Sequence, residues 1–329
     1  MNYNKVFESF ANFRVVVIGD VMLDNYKFGK VHRMSPEAPV PVVLFEKEEN
    51  RIGGAGNVAL NLIALGAQPI VCSVIGNDLA GKTLIDKFSE SNISSEGIVK
   101  SNNRPTTVKS RIISNKQQLL RIDSEITSPI SQEESDELME RLALLLIEGI
   151  DALIFEDYNK GVLTEQLIQQ IIDFAKINNI VTCVDPKFDN FLAYKQVDLF
   201  KPNLKELKEG LNFDINMHAS PEKLIEAVEL LESKLSNVIS LITLSEFGVL
   251  VKKGKLIHTA KAHIRNISDV SGAGDTVIAV ACLCLLADLS FVEIAEIANI
   301  AGGLVCEYAG VVSIDKMELL EEVNKLLIV

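Results

Sequence analysis

Histidine and cysteine are scarce: four and five residues respectively in a chain of 329. No H-x-x-x-H or C-x-x-C pair occurs, so a zinc framework is not expected. The cysteines (Cys72, Cys183, Cys282, Cys284, Cys306) all sit in apolar runs, as expected of buried, reduced thiols in a cytoplasmic protein. Cys282 and Cys284 would point to different faces of a helix, which argues against a shared metal. No run of about 18 uncharged apolar residues is present, so no membrane span is expected, and the start lacks the apolar core of a signal peptide. A basic surface is missing too. With 32 Lys and Arg against 45 Asp and Glu, the net charge is −13, which argues against nucleic acid or an anionic membrane as partner. There is no Walker A motif, internal repeat, low-complexity tract or long linker.

What is present is an apolar share of 48%, enough for a substantial core, and an alternation of short β-branched runs with helical patterns. Arg14–Ile18, Ile70–Ile75, Ala152–Phe155, Val181–Val184 and Val238–Leu244 read as strands. Leu79–Ser89, the segment from Ser131 to about Ile147, and Phe291–Tyr308 read as helices. Ser131 and Glu134 form a capping box and Thr164 caps the following helix. Such units predict one α/β domain, a mostly parallel sheet covered by helices on both faces. Polar residues collect at the carboxyl ends of its strands, where ligands bind in such sheets: Asp24, Asp157, Lys160, Asp185, Lys187, Asn203, Glu206 and Thr243. Asp24 is expected in a loop past the first strand, within reach of sugar hydroxyls, while Asp20 suits a turn-stabilising role. The prolines of Ser35–Pro41 permit only an extended edge ribbon. With strands at 106–114 and 117–123, separated by Asn115 and Lys116, it predicts a small projecting sheet, a lid or dimer contact.

Two glycine elements stand out. Gly53-Gly54-Ala55-Gly56-Asn57 is expected to open a helix that stops at Gly66. A dinucleotide fingerprint would need a preceding strand and G-x-G-x-x-G spacing, and neither is expected there. Asp269-Val270-Ser271-Gly272-Ala273-Gly274-Asp275-Thr276 leads into an apolar helix. Free amides and the helix dipole at such a start suit a phosphate. Asp275 would repel that phosphate, so it makes sense as a base for a hydroxyl while the amides of Gly272, Ala273 and Gly274 hold the transferring group. The same tetrad could also be no more than the cap of a core helix.

These two elements, in this order, together with Asn203-Leu204-Lys205-Glu206, resemble the signatures of the ribokinase (PfkB) family of carbohydrate kinases, over essentially the whole chain. The resemblance implies a three-layer α/β/α domain over residues 1–329 with a β lid from about 25–52 and 104–123. Asp275 would be the base and Gly272–Gly274 the anion hole. Asp24, Gly54, Asn57, Asp157 and Lys160, with the lid cations Lys109, Arg111 and Arg121, would meet the sugar. Lys187, Asn203, Thr243, Gly248 and Asn299 would meet ATP. Mg²⁺ would be reached by Glu206 through water, and K⁺ by Asp269. Within the family, Gly19–Asp24, Ser35–Val43, Gln117–Asp123, Asp157–Leu163 and Val184–Lys187 are most similar to the kinases of heptose 7-phosphate in ADP-heptose synthesis, which implies phosphorylation at O1. Another sugar, sugar phosphate or nucleoside, or a catalytically idle sensor, would also fit. Such kinases are often fused to an adenylyltransferase, for which 329 residues leave no room, so a separate adenylyltransferase is expected, as is a homodimer through the lid strands. Two positions depart from the pattern: Glu156 replaces a small residue, and Asn115-Lys116 stands where a lid arginine is expected.

Overall fold

A computed structural model describes residues 2–115 and 117–327. Lys116, one half of the expected lid departure, lies outside the described residues. Helix α1 (Tyr3–Ser9) leads to the central strand β1 (Arg14–Gly19) and then, with a single residue between, to β2 (Val21–Met34), β3 (Pro41–Gly54) and α2 (Ala55–Leu65). The chain continues through β4 (Gln68–Gly76), α3 (Leu79–Glu90), β5 (Ser94–Ser101), β6 (Val108–Ser114), β7 (Gln117–Ser124), α4 (Gln132–Leu146) and β8 (Ala152–Glu156). Next come α5 (Glu165–Ile177), β9 (Val181–Asp185), β10 (Leu199–Phe200), α6 (Leu204–Leu211), α7 (Glu222–Leu235) and β11 (Ile239–Thr243). A hairpin of β12 (Val249–Lys253) and β13 (Leu256–Ala260) precedes α8 (Ala273–Leu286), α9 (Phe291–Val305) and α10 (Lys316–Leu327).

The large sheet has the order β13-β12-β11-β10-β9-β8-β1-β4-β5. From β11 to β5 all neighbours run parallel, and β12 and β13 close one side antiparallel. On β1, Val15 and Val17 enter the core packed against α2, α8 and α9, while Val16 and Ile18 enter the opposite core under α4 and α5. That is the period of two expected of a strand buried on both faces, and it yields the three-layer α/β/α fold. A second sheet, β3-β2-β6-β7, is mostly solvent-facing, and every residue of β7 is exposed.

Local chemistry sets the boundaries. Ser131 and Glu134 cap α4 reciprocally, Thr164 accepts from Leu167 N–H, and Gly66 ends α2 in the left-handed region. Three expectations need correction. A strand does precede the glycine element: Gly53 and Gly54 finish β3, and Gly54 is at the same time the N-cap from which α2 opens as expected. Gly54 has φ +61°, and a Cβ there would meet Asp20 O at 2.2 Å. Only glycine makes this corner, which swings the chain from the small sheet into α2, where Ala55 N–H donates to Asp20 O. Asp24 is not in a loop but inside β2, because that strand starts one residue after β1. The helix expected to Tyr308 ends at Val305.

Candidate active site

Strand register brings Gly19, Glu156 and Asp185 side by side at the carboxyl edge of the large sheet. The first turn of α8 faces this edge. Its N-cap, Gly272, has φ +80°, and a Cβ there would stand 2.9 Å from Val311 Cγ1 and 3.0 Å from Asn57 Nδ2. Ala273 N–H makes only a long 3.4 Å bond to Val270 O, so the helix start offers donors to an anion. α8 is buried along most of its length, which fixes this start rigidly.

Asp275 is buried here. Its Oδ2 accepts from Asn57 Nδ2, and its Oδ1 accepts from the Tyr158 hydroxyl at 3.1 Å. Asn57 is itself held by Asn61, whose Nδ2 donates to Asn57 O and whose Oδ1 accepts from Thr276 Oγ1 and Ile314 N–H. Burial pushes the Asp275 carboxyl up to about 6, with Asp185 adding to the rise and the bonds from Asn57 and Tyr158 opposing it. A carboxylate held near neutrality is suited to accept a proton.

Around Asp275 lies a buried cluster. Glu156, Asp185 and Asp275 bring one oxygen each within 4.8 Å of one another. Both Glu156 oxygens and Asp185 Oδ1 are buried without a hydrogen-bond partner. Burial, then the charges of Asp185 and Asp275, push Glu156 well above the usual carboxylate range. The buried Lys201 ammonium lies 2.7 Å from Asp185 Oδ2; burial pulls its pKa down, but Asp185 and Glu206 more than reverse this. Three oxygen donors at that spacing could hold a hard cation. A carboxylate that is to accept a proton has to stay free of one, however, and the upward shift of Glu156 is a second response to the same crowding.

The N-x-x-E element is a capping box on α6: Asn203 Oδ1 accepts from Glu206 N–H at 2.8 Å, and Glu206 Oε2 accepts from Asn203 N–H at 2.9 Å. Glu206 Oε1 takes Lys187 Nζ at 2.5 Å, and that ammonium lies 5.4 Å from the centre of the Tyr158 ring. With both of its carboxylate oxygens engaged, Glu206 could reach Mg²⁺ only through water, the mode such a strongly hydrated ion favours. Thr243 forms a parallel bridge with Asn203. Gly248 (φ +89°) and Asn299 both border Lys261, the latter through Nδ2 to Lys261 O at 2.8 Å. Asp269 accepts from Ser271 N–H at 2.9 Å and Gly310 N–H at 3.1 Å, so it braces the loop before α8.

On the small sheet, Arg111 Nη1 lies 2.5 Å from Asp24 Oδ1, and Gly53 leaves the room that Asp24 Oδ2 fills. Lys109 pairs with Asp123 and Glu125, Lys160 with Glu125, and the half-exposed Arg121 with Asp123. Of the lid cations, Arg111 alone pairs with Asp24, and Arg121 is the most exposed of them. Asp157 also needs correction as a sugar contact. It is buried, Oδ1 accepts from Asn159 N–H, and Oδ2 accepts from Tyr194 Oη at 2.7 Å and Asn190 Nδ2 at 3.0 Å, so it anchors its loop. Asp20 does the turn-stabilising work expected of it, accepting from the amides of Tyr158, Lys160 and Val162. Tyr158, Asp185, Lys201 and Glu125 received no site role from the sequence. Asp185 alone carried a signal, its place at a strand end.

A buried carboxylate at a glycine-lined helix start, on the ligand edge of a parallel sheet, has the makings of a phosphotransferase acting on a sugar. The chain belongs to the pfkB family of carbohydrate kinases, whose family model matches residues 12–317. It is 39% identical over 293 residues to the bifunctional protein HldE of Helicobacter pylori (strain G27), covering 89% of this chain and 62% of that protein. Against the HldE protein of Wolinella succinogenes the identity is 42% over 291 residues, covering 88% and 60%. The chain thus spans about three fifths of the length of these relatives. Phosphofructokinase-2 from Escherichia coli in complex with potassium superposes with TM-score 0.79 at 17% identity, over 96% of this chain and 100% of that one. Arabidopsis thaliana ribokinase complexed with ribose and ATP gives TM-score 0.71 at 16% identity, over 94% and 98%. At these identities the structural likeness concerns the fold. No helix among the described residues is long and apolar enough to cross a membrane.

Proposed function

We propose that this chain transfers the γ-phosphoryl group of ATP to O1 of a heptose 7-phosphate, giving the 1,7-bisphosphate for ADP-heptose synthesis. The observation carrying the chemistry is Asp275, buried at the start of α8 and held by Asn57 and Tyr158. Asp275 takes the proton of the acceptor hydroxyl as its oxygen bonds to the γ-phosphorus, and the bond to the β–γ bridging oxygen breaks to release ADP. The amides of Gly272, Ala273 and Gly274 receive the charge on the phosphoryl oxygens, and Lys187 and Lys201 add positive charge nearby. Asn203, Thr243, Gly248 and Asn299 border the nucleotide, and Asp24, Gly54 and Asn57 the sugar. Mg²⁺ on the ATP phosphates, reached by Glu206 through water, would neutralise their charge; Asp269 is the candidate neighbour of a K⁺ ion.

The heptose assignment draws on the HldE likeness, on the cations Lys109 and Arg111 beside Asp24, and on Lys160, tied to Lys109 through Glu125, which suit a phosphorylated acceptor. The exposed apolar residues Leu44, Phe45, Leu120 and Ile122 of the small sheet support a homodimer through the small-sheet strands. The test is ADP release from ATP and Mg²⁺ with heptose 7-phosphate, sedoheptulose 7-phosphate, fructose 6-phosphate, ribose and fructose, with and without K⁺. Preference for heptose 7-phosphate supports the reading. Preference for another acceptor replaces the substrate but keeps the mechanism, and turnover of none of them removes both.

A further inference from the structure

Glu125 is the first residue after β7, on the segment that returns from the small sheet to α4. Its two oxygens are shared between two lysines from different bodies: Oε1 lies 2.7 Å from Lys160 Nζ, in the loop after β8, and Oε2 lies 3.2 Å from Lys109 Nζ, on β6. The three side chains are only 15–20% exposed. Lys109 is cross-strand neighbour to Asp24 and stands two residues before Arg111, which holds Asp24. Lys160 belongs to the loop that Asp20 braces and that carries Tyr158. The carboxylate therefore bridges the two ammoniums that flank the acceptor side, in the manner of a bound anion. Burial raises its carboxyl, but the bonds from Lys160 and Lys109 prevail and hold it below the usual glutamate range. Glu125 is thus a charged competitor for both lysines.

We propose that Glu125 is an internal stand-in for the phosphate of the acceptor, displaced when a phosphorylated sugar bridges Lys109 and Lys160. A phosphate monoester presents several acceptor oxygens and a charge of about −1.5 to −2 at neutral pH, against −1 for the carboxylate, so it can take over both ammoniums. A neutral sugar cannot, and meets a pair already satisfied. Discrimination against unphosphorylated sugars then comes from the competitor as well as from the attractive contact. Because Lys160 follows β8 of the large sheet and Lys109 lies on β6 of the small one, the exchange also transfers the tie between them from Glu125 to the substrate. This inference rests on the reading of the acceptor as a sugar phosphate.

The test compares kcat and KM for heptose 7-phosphate and for unphosphorylated heptose in the wild type, Glu125→Gln, Glu125→Ala and Lys160→Met, with thermal melts to show each variant folded. Removing the competitor should lower KM for the phosphorylated sugar about tenfold in both Glu125 variants, with kcat changed less than about twofold, a difference of about 1.4 kcal/mol in binding. Lys160→Met should raise that KM more than tenfold and leave the unphosphorylated sugar's KM unchanged. An unchanged or raised KM in the Glu125 variants would overturn the stand-in while leaving the substrate reading intact, since it would show that the carboxylate merely holds the lysines in place. A wild type without preference for the phosphorylated sugar would overturn the substrate reading itself, and this inference with it.

Discussion

The carboxyl edge of the large sheet and the face of the small sheet treat charge in opposite ways. At the large sheet, Glu156, Asp185 and Asp275 crowd together in a buried site with the ammonium of Lys201 on Asp185, and three carboxylate oxygens are left without protein partners. On the small sheet, Asp24, Asp123 and Glu125 are matched by Arg111, Lys109, Lys160 and Arg121 in partly wet ion pairs. Burial without full pairing shifts protonation equilibria, as chemistry requires, whereas pairing near solvent is cheap to exchange, as substrate selection requires. On the function proposed above, one region reacts and the other chooses.

Substitutions can break that division, and the largest effect belongs to the buried side. Asp275→Asn should lower kcat by about 10²–10⁴-fold while ATP binding, followed by calorimetry, is kept. Gly272→Val forces a β-branched residue into φ +80° against Val311; kcat should fall by about 10²–10³-fold through loss of the anion hole, with weaker ATP binding. Arg111→Ala, on the exchangeable side, should leave kcat within about twofold and raise the acceptor KM through a loosened Asp24. The smallest effect is expected of Arg121→Ala, whose exposed pair with Asp123 lies in the range of about 0–1 kcal/mol; its melting temperature and KM should be close to wild type.

Glu156→Gln sharpens the comparison from the stability side. A buried acid whose folded pKa is raised above its unfolded value costs stability once the pH exceeds the unfolded value, because folding must then take up a proton or bury a charge. The neutral glutamine avoids that cost. Its melting temperature should exceed wild type at pH 8, and the gap should close towards pH 4. A gap that stays constant with pH would mean that Glu156 is not the residue carrying the burden.

The fold was legible because its signals are local. The β-branched runs of β1, β8 and β9, the Ser131 capping box and the stop at Gly66 each announce themselves within a few residues. The glycine start of α8 with Asp275 was legible for the same reason. The remainder depends on partners far along the chain. Asp157 was misread because its partners Asn190 and Tyr194 lie 33 and 37 residues away. Lys201 carries no sign of Asp185, nor Tyr158 of Asp275, 117 residues on. Gly53 and Gly54 were legible as the start of α2, but the room they leave for Asp24 and the corner against Asp20 exist only once β2 and β3 pair.

The central claim is that Asp275, lifted by burial to about 6, is the base. The most direct measurement is the pH dependence of single-turnover phosphoryl transfer from about pH 5 to 9, in the wild type and Asp275→Asn. A base must be unprotonated, so wild-type rates should be level above its pKa and fall tenfold per unit below about 6. Asp275→Asn should show a low rate without that limb. A wild-type profile flat down to pH 5, or a limb near 6 that survives in Asp275→Asn, would contradict the account.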